Sequence, residues 1–409
     1  MIRILLIFFL LFAYRDGHSL DSLNKAESVV QERKDALYYQ QHATKADNEY
    51  QAIEFSKKAL SLRSANLDEN WVADVRVSMA SALLRIGNTK EAFSEFLTAE
   101  KIYTQTGNIS SKANALVLMA KFYEQNAAWK DASYYYKTAQ KIYQSTEKFN
   151  QAALIALHLT DISLTQNNLS DASRHVSYAI RQFDRLNDKT RLGISYLKQA
   201  EIFRRQKQYK KGERLILKSA LPFFRSTGYQ AGRIGCFDVL AKIYRSQSRY
   251  SEAKWFFIQA NTQARKLNDV EGIISSLINL GRVKVKIRDY NLVMRDFREA
   301  QTLASQRGNL FLLAEVKDAY AFLYKEMGNL SGFEDASESS ADVRDSLANY
   351  LNAQADSARS ARIKIVPDLK GNTRTIVRVE KKQDFLIVKI LTACLAILII
   401  IFFILRKLK

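Results

Sequence analysis

The chain has few of the residues that organise disulfide-bonded, metal-bound or loop-rich proteins. Its 409 residues include two cysteines, two prolines and fourteen glycines. Cys236 lies mid-chain, Cys394 lies in a long apolar run, and no Cys-x-x-Cys pair occurs. Neither a disulfide framework nor a structural zinc site is therefore supported. With proline confined to Pro222 and Pro367, almost the whole chain can be helical.

Residue patterns that support catalysis are also missing. His158 and His175 are too far apart for the His-x-x-x-His spacing of a metal-ligating helix, so they are interpreted as core or surface histidines. The sequence has no Gly-x-x-x-x-Gly-Lys-Ser/Thr loop, no Gly-x-Ser-x-Gly turn and no kinase signature. We therefore expect no enzyme activity, no cofactor, no metal site and no small-molecule substrate.

Charge of one sign is in excess, but it is not concentrated in one segment. The formal net charge is +20, and the cations are scattered, commonly beside Glu or Asp. Denser runs at 204–211 and 282–288 fall where first helices of a repeat should end, and cations are favoured at helix C-termini. The sequence therefore predicts solvated basic helix faces. An acidic protein partner or anionic headgroups fit this pattern, and no nucleic-acid partner is expected.

The chain does contain a repeat of 40 residues. A small residue recurs at steps of 40, with a single step of 41, and another small residue mostly follows it seven positions later. Such self-similarity predicts stacked supersecondary units, none of which can bury its apolar face alone. The repeating positions are Ala52, Ala92, Ala132, Ala172, Gly212, Ala253, Val293 and Phe333.

Each unit is predicted to be two antiparallel helices, which makes the chain all-α. Bulky apolar residues lie between the two small positions of the second helix, giving one buried stripe. Turn residues such as Gly87-Asn88 and Gly328-Asn329 separate the helices. In the first helix another small residue recurs, at Ala80, Ala120, Thr160, Ala200, Ala241, Gly281 and Ala321.

This order of small, bulky, turn, aromatic and small residues resembles the tetratricopeptide repeat, in a longer version of about 40 residues. The resemblance covers roughly residues 36–345, about eight units, although the signature proline after the second helix is absent. It implies a right-handed α-solenoid, which we place at residues 20–345, with degraded outer units as caps.

The resemblance also implies a partner-binding groove lined by the first helices. Family groove positions lie at −6, −3, +1 and +4 from the small residue of each first helix. They could hold a peptide carboxylate or acidic side chains, with Lys242, Arg245 and Arg282 at the centre. For any one of them, a solvated helix residue is an equally good interpretation. The candidate residues are Lys121, Glu124, Asp161, Glu201, Arg204, Asp238, Lys242, Arg245, Arg282 and Lys325.

Two apolar ends frame the array. Residues 1–19 are predicted to be a signal peptide cut after Ser19, with an uncleaved anchor as the alternative. Residues 385–405 are long and apolar enough for one transmembrane helix, followed by a cytoplasmic tail at 406–409. Residues 346–384 are predicted to be a polar helix to about Ala358 and then a stalk, either a small hairpin or a disordered tether.

This layout resembles the extracytoplasmic half of membrane-bound bacterial tetratricopeptide sensors, without an output domain. It implies a single-pass protein of the bacterial inner membrane with its array on the periplasmic side, binding a peptide or protein partner as an interaction scaffold. The alternative is a truncated or partner-dependent receptor that controls transcription. A nucleic-acid-binding regulator with a misread leader is a further alternative, and reporter fusions at either end would separate these topologies.

Overall fold

The described part of the chain, residues 20–62 and 68–365 of a computed structural model, is helical with short turns. This confirms the all-α prediction. The first ten helices are α1 Leu20–Thr44, α2 Glu49–Ser61, α3 Glu69–Arg85, α4 Thr89–Thr106, α5 Ile109–Gln125, α6 Trp129–Ser145, α7 Phe149–Thr165, α8 Leu169–Arg185, α9 Lys189–Arg205 and α10 Tyr209–Leu215. A π-helical segment, Ile216–Ala220, then leads into α11 Leu221–Ser226, α12 Gln230–Ser246, α13 Tyr250–Lys266, α14 Val270–Lys286, α15 Tyr290–Gln306, α16 Leu310–Glu326 and α17 Leu330–Ile365.

These helices form eight consecutive hairpins, as the repeat predicted. Each first helix packs most extensively on the second helix of its own unit or of the unit before it. Units 1 to 4 are α1–α2, α3–α4, α5–α6 and α7–α8. Unit 5 is α9 with α10 and α11, and units 6 to 8 are α12–α13, α14–α15 and α16–α17.

Nearly every connection is closed by one residue with a left-handed backbone. Glycine supplies that residue at Gly87, Gly107, Gly228, Gly308 and Gly328, all with φ between 62° and 80°. Elsewhere other residues adopt it, including Asn167, Asn187 and Asn268. In the first of these turns the amide of Asn88 donates to the carbonyl of Leu83 at 2.9 Å, the bond that closes a helix C-terminus. The chain therefore reverses direction within three residues.

The positions that keep the 40-residue repeat are the core positions. Ala92, Ala132, Ala172, Ala253 and Val293 are completely buried. Between each pair of small residues lies a fully buried larger side chain, such as Phe96, Tyr136, Val176, Phe257 and Phe297. Small residues on facing helices give these side chains room, so the repeat records where helix backbones approach closely.

The single step of 41 residues has a structural explanation in unit 5. The extra residue is absorbed by the π-helical segment Ile216–Ala220, which is how a helix accommodates a one-residue insertion. The buried position is shifted by one residue as well. Ala220 is completely buried, whereas Ser219, seven residues after Gly212, is only half-buried. The helix therefore returns to register, and Phe224 enters the core.

The last helix is twice as long as the regular ones. Helix α17 has 36 residues with no break at residue 345, so the polar helix predicted after the array is continuous with unit 8. Residues 363–365, the start of the first β-prone run, are its last turn. The predicted signal peptide, the remainder of the stalk and the predicted transmembrane segment lie outside the described residues. Within the described ranges no helix combines the length and apolar character needed to span a bilayer.

The C-terminal part of α17 returns to the beginning of the array. It packs on α4 of unit 2, where Ala355, Ala358 and Ala361 are buried. The Thr89 hydroxyl donates to Gln354 Oε1 at 2.5 Å, and Arg359 Nη2 lies 2.7 Å from Asp131 Oδ2 on α6. The array is therefore closed on itself by its own last helix.

One expectation about the basic runs is wrong. Lys284 lies in the 282–288 run, which was interpreted as a solvated helix face, but its side chain is only 5% exposed. Its ammonium group is 2.5 Å from Asp296 Oδ2, which is equally buried on α15. Because a buried cation is tolerated only beside a counter-charge, this lysine belongs to the packing of unit 7.

Candidate partner-binding face

The first helices form the inner side of the array. Consecutive first helices approach each other directly, as α9 with α12 and α14 with α16, whereas consecutive second helices do so much less. Helical hairpins that are closer on one side stack into a curved solenoid with that side concave. We call the exposed and half-buried surface of helices α5, α7, α9, α12, α14 and α16 the first-helix face.

Polar side chains on this face bond from one unit to the next. His158 Nδ1 lies 3.0 Å from Glu124 Oε2, and Lys198 Nζ lies 2.6 Å from Asp161 Oδ2. The Tyr136 hydroxyl also donates to Glu124, at 2.6 Å. Burial favours a raised pKa for Glu124, but the bonds from His158 and Tyr136 outweigh it and lower the pKa. Both Glu124 and Asp161 are therefore already paired.

The acids of units 5 and 6 are paired within their own helices. Arg204 donates two hydrogen bonds of 2.7 Å to the two oxygens of Glu201, and Arg205 Nε adds a third at 2.8 Å. Burial acts to raise the pKa of Glu201, and these bonds lower it further than burial raises it. Asp238 is similarly held by Lys242 at 2.6 Å. Both carboxylates are therefore engaged by cations of their own helix, and they attract the Arg245 guanidinium less strongly than its neighbouring arginines repel it.

Three guanidinium groups on successive units are left with an excess of positive charge. We call Arg204, Arg245 and Arg282 the arginine cluster. Arg245 donates to the neutral Oδ1 of Asn279 at 2.8 Å, and Arg282 has neither an ion pair nor a hydrogen bond among the described residues. Burial, followed by repulsion from Arg282 and Arg204, lowers the pKa of Arg245 to about 10. The fold therefore holds this guanidinium in an unfavourable electrostatic setting.

A concavity of about 440 Å³ lies beside the cluster. It is lined by Arg245 and Arg282 together with Lys286 and two aromatic side chains, Tyr250 and Phe322. Lys286 is paired with Glu326 at 2.9 Å and lies 5.2 Å from the Phe322 ring. This combination of guanidinium groups and ring faces can hold a carboxylate next to an apolar side chain.

The structure brings most of the predicted groove residues onto this face. Glu124, Asp161, Glu201, Arg204 and Asp238 join Lys242, Arg245 and Arg282 there through the contacts described above. Lys121 is exposed on α5 without an ion pair or hydrogen bond among the described residues. Lys325 is placed differently, because its ammonium group lies 5.7 Å from the Phe333 ring on α17, within its own unit.

Sequence reasoning missed one position that recurs in the site. His158, Lys198 and Asn279 all lie two residues before the small residue of a first helix, and each bonds to a groove residue of the preceding unit. The repeat register contains this position, so aligning the units and asking which polar residues share it could have found it. Phe322 is at +1, one of the family groove positions, and it was not among the predicted residues.

Two other titratable groups, Cys236 and His175, lie away from this face. Cys236 is buried, and burial raises the pKa of its thiol to about 12. Burial, followed by repulsion from Arg174, lowers the pKa of His175. Within residues 20–62 and 68–365 there is no group of three or more His, Cys, Asp or Glu side chains that could hold a metal ion.

Comparison with known families gives a partial match. The model of the soluble NSF attachment protein family, SNAP, matches residues 45–175, which run from before α2 into α8. This is less than half of the chain. No curated protein matches the sequence.

Solved structures agree on the fold. A tetratricopeptide repeat protein from Parabacteroides merdae superimposes with a TM-score of 0.51 at 15% identity, covering 70% of this chain and 99% of that one. A Rap protein complexed with competence and sporulation factor gives 0.50 at 13%, covering 87% and 98%. The Rap conjugation gene regulator of plasmid pLS20, in complex with the Phr* peptide, gives 0.51 at 11%, covering 78% and 96%. The array is a tetratricopeptide-type helical-repeat solenoid.

Proposed function

We propose that this protein is a membrane-anchored interaction module that binds an acidic peptide segment of a partner on its first-helix face. The observation that carries the proposal is the arginine cluster, where Arg245 is half-buried, repelled by two neighbours and bonded to a neutral amide. A carboxylate at this place would add to the counter-charge that Asp238 and Glu201 supply to Arg245. One of the similar folds is in complex with the Phr* peptide and another with competence and sporulation factor, which supports a ligand for this face.

The chemistry of the cluster favours a carboxylate over a neutral ligand. Guanidinium groups bind carboxylates through paired charge-assisted hydrogen bonds, each worth about 1.5–3 kcal/mol when shielded from water. Because the acids of units 5 and 6 are already paired, Arg245 and Arg282, which line the concavity, are the groups available to such a ligand. Tyr250 and Phe322 would contact the adjacent apolar side chain. We propose binding and no catalytic step.

The location is part of the same proposal and rests on the sequence. Residues 1–19 fit a signal peptide and residues 385–405 fit one membrane span, which would hold the array at the periplasmic side of a bacterial inner membrane. Fusions of a periplasm-active reporter at Leu20 and a cytoplasm-active reporter at Lys409 should both be active. Activity of the opposite reporter at either end would contradict this topology.

Partner binding can be tested by photo-crosslinking in intact cells. Ser246 is exposed and lies 3.3 Å from Arg204 Nη1, so a photo-reactive amino acid at position 246 reports on the first-helix face. A matched control carries the same amino acid at Trp255, which is 54% exposed on a second helix. We expect a discrete adduct from position 246 that is absent from position 255.

The charge requirement is tested in the same cells. The combined variant Lys242→Glu, Arg245→Glu and Arg282→Glu should remove the adduct from position 246, because acidic side chains would then repel the ligand. Circular dichroism of the purified variant serves as the folding control. An adduct of undiminished yield in a folded variant would rule out the arginine cluster as the binding site.

A further inference from the structure

The C-terminal part of α17 contacts the array in two separated places. At the first place, the side chains of Ser340 and Arg344 bond to Asp318 of α16. Residues 341–350 are then mostly exposed, and burial resumes only at Ala355. Thirteen residues, 341–353, thus bridge about 20 Å of helix at about 1.5 Å per residue. We call residues 354–361, which contact units 2 and 3, the strap.

The contact that the strap makes is small and polar. Its buried side chains are three alanines, and its polar contacts are the Thr89–Gln354 hydrogen bond and the Arg359–Asp131 ion pair. Arg359 is 46% exposed, and exposed ion pairs contribute only about 0–1 kcal/mol. The strap buries no large apolar side chain, so it can detach without exposing a hydrophobic core of its own.

Closure by the strap depends on the curvature of the units between its two contacts. The strap joins unit 8 to units 2 and 3. The arginine cluster lies between these contacts, on units 5, 6 and 7. Repulsion among Arg204, Arg245 and Arg282 acts across neighbouring first helices, on the inner side of the curve. Such repulsion pushes those helices apart and flattens the array. An anion bound among these groups removes the repulsion and permits tighter curvature.

We propose that occupation of the arginine cluster by an acidic peptide and closure of the strap on α4 and α6 favour each other. The proposal rests on the proposed function, since it takes the same ligand at the same site. Because coupling between two events is reciprocal, a ligand that tightens the strap must also bind the closed array more tightly than the open one. The strap would then convert occupation of the inner face into a movement of the helix that leads toward residues 366–409.

Hydrogen–deuterium exchange of the full-length protein in detergent micelles tests the coupling. The measured quantity is the exchange rate of amides in residues 350–361, with residues 330–340 of the same helix as the internal reference. The probe is a hexaglutamate peptide at saturating concentration. We expect at least threefold slower exchange in the strap and little change in the reference segment.

A second arm needs no ligand. Arg282→Met removes one repelling charge without breaking a hydrogen bond or ion pair among the described residues, so it should slow strap exchange by itself. Arg307→Met is the matched control, because Arg307 is exposed in the turn between α15 and α16 and should change nothing. Ala358→Glu places a charge in the buried contact and should speed strap exchange at least tenfold.

The outcomes separate the two proposals. If hexaglutamate fails to bind while Arg282→Met slows strap exchange, the coupling stands and the acidic-peptide ligand is wrong. If hexaglutamate binds and strap exchange does not change, the coupling is wrong and the binding site stands. Unchanged strap exchange in Arg282→Met, with the expected increase in Ala358→Glu, would also overturn the coupling.

Discussion

At the scale of single residues, charges in this protein fall into two classes that look alike in the sequence. Lys284 and Asp296 neutralise each other inside unit 7, whereas Arg245 and Arg282 face the inner side with no acid assigned to them. Arg282 and Lys284 lie in the same basic run, two residues apart. What separates them is the direction of the side chain on its helix, because residues two apart on a helix point to different sides. The first pair stabilises the fold and the second is available to a ligand.

The buried pair gives a stability prediction. Lys284→Met leaves Asp296 as a buried charge whose other cation, Arg295, is 3.8 Å away and largely exposed, and breaking such a pair costs about 3–5 kcal/mol. The double variant Lys284→Met with Asp296→Leu removes both charges and should regain most of that loss. Urea unfolding of the purified protein measures both.

The control for this pair is Lys254→Met, whose partner Asp289 is 3.7 Å away and about one-third exposed. Because screened surface pairs contribute about 0–1 kcal/mol, its effect should be small. Equal losses from Lys284→Met and Lys254→Met would show that the buried pair has no special role in unit 7.

Glu201 gives a prediction about acid. Its pKa is held below the ordinary value of 4.5 by Arg204 and Arg205, which outweigh burial. The ionised form therefore adds stability above pH about 4.5, and this contribution is lost as the pH falls through the lowered pKa. Glu201→Gln should lower the melting temperature at pH 7, and the difference from the unmodified protein should shrink below pH about 4.5.

The exposed Glu334 is the comparison for this acid effect. Glu334→Gln should follow the unmodified protein at every pH by thermal circular dichroism. A Glu201→Gln difference that stays constant from pH 7 to pH 3 would mean that the carboxylate charge does not stabilise unit 5.

At the scale of elements, the protein tolerates one irregular helix because the irregularity preserves register. The π-helical segment in unit 5 takes up one extra residue between two buried positions, Gly212 and Ala220. Leu217 and Lys218 within it are exposed, so the insertion lies on the solvent side. In the next unit, the equivalent buried positions of helix α13 are Ala253 and Ala260, and regular α-helix joins them.

This comparison predicts opposite effects for two single-residue deletions. Deleting Lys218 should convert the π-helical segment to regular α-helix and restore a 40-residue step, with little loss of stability. Because an α-helix has 3.6 residues per turn, deleting Ile258 from α13 should rotate the following residues by about 100°. This rotation would move Ala260 and Ala264 out of the core. Thermal unfolding and helix content measured by circular dichroism compare the two. Equal damage from both deletions would show that the π-helical segment is itself required.

The repeat made the elements predictable and left much of the site unpredicted. Positions such as Ala92 and Phe96 recur because close helix packing permits few residue types, so periodicity reveals them. The partners at His158, Lys198 and Asn279 share a register position but not a residue type, because each need only form a hydrogen bond with its own neighbour. The burial of Lys284 depended on side-chain direction, which a run of cations does not reveal.

At the scale of the whole molecule, the fold adds one contact that no local pattern encodes. Gln354 meets Thr89 only after the small rotations of five intervening units have accumulated. Sequence therefore predicted the units and the helix that follows them, but not that this helix closes the array. The coupling proposed above links this closure to the spacing of the first helices in units 5 to 7.

The central claim is that the arginine cluster binds an acidic ligand, and isothermal titration of hexaglutamate into the full-length protein at 150 mM salt tests it most directly. The unmodified protein should bind saturably. Arg245→Met with Arg282→Met should bind at least tenfold more weakly, about 1.4 kcal/mol, because two charge-assisted contacts are lost. Arg307→Met with Arg288→Met removes two exposed charges outside the pocket and should leave the affinity unchanged. Equal weakening in the two double variants would mean that only overall positive charge attracts the peptide, and would contradict the account.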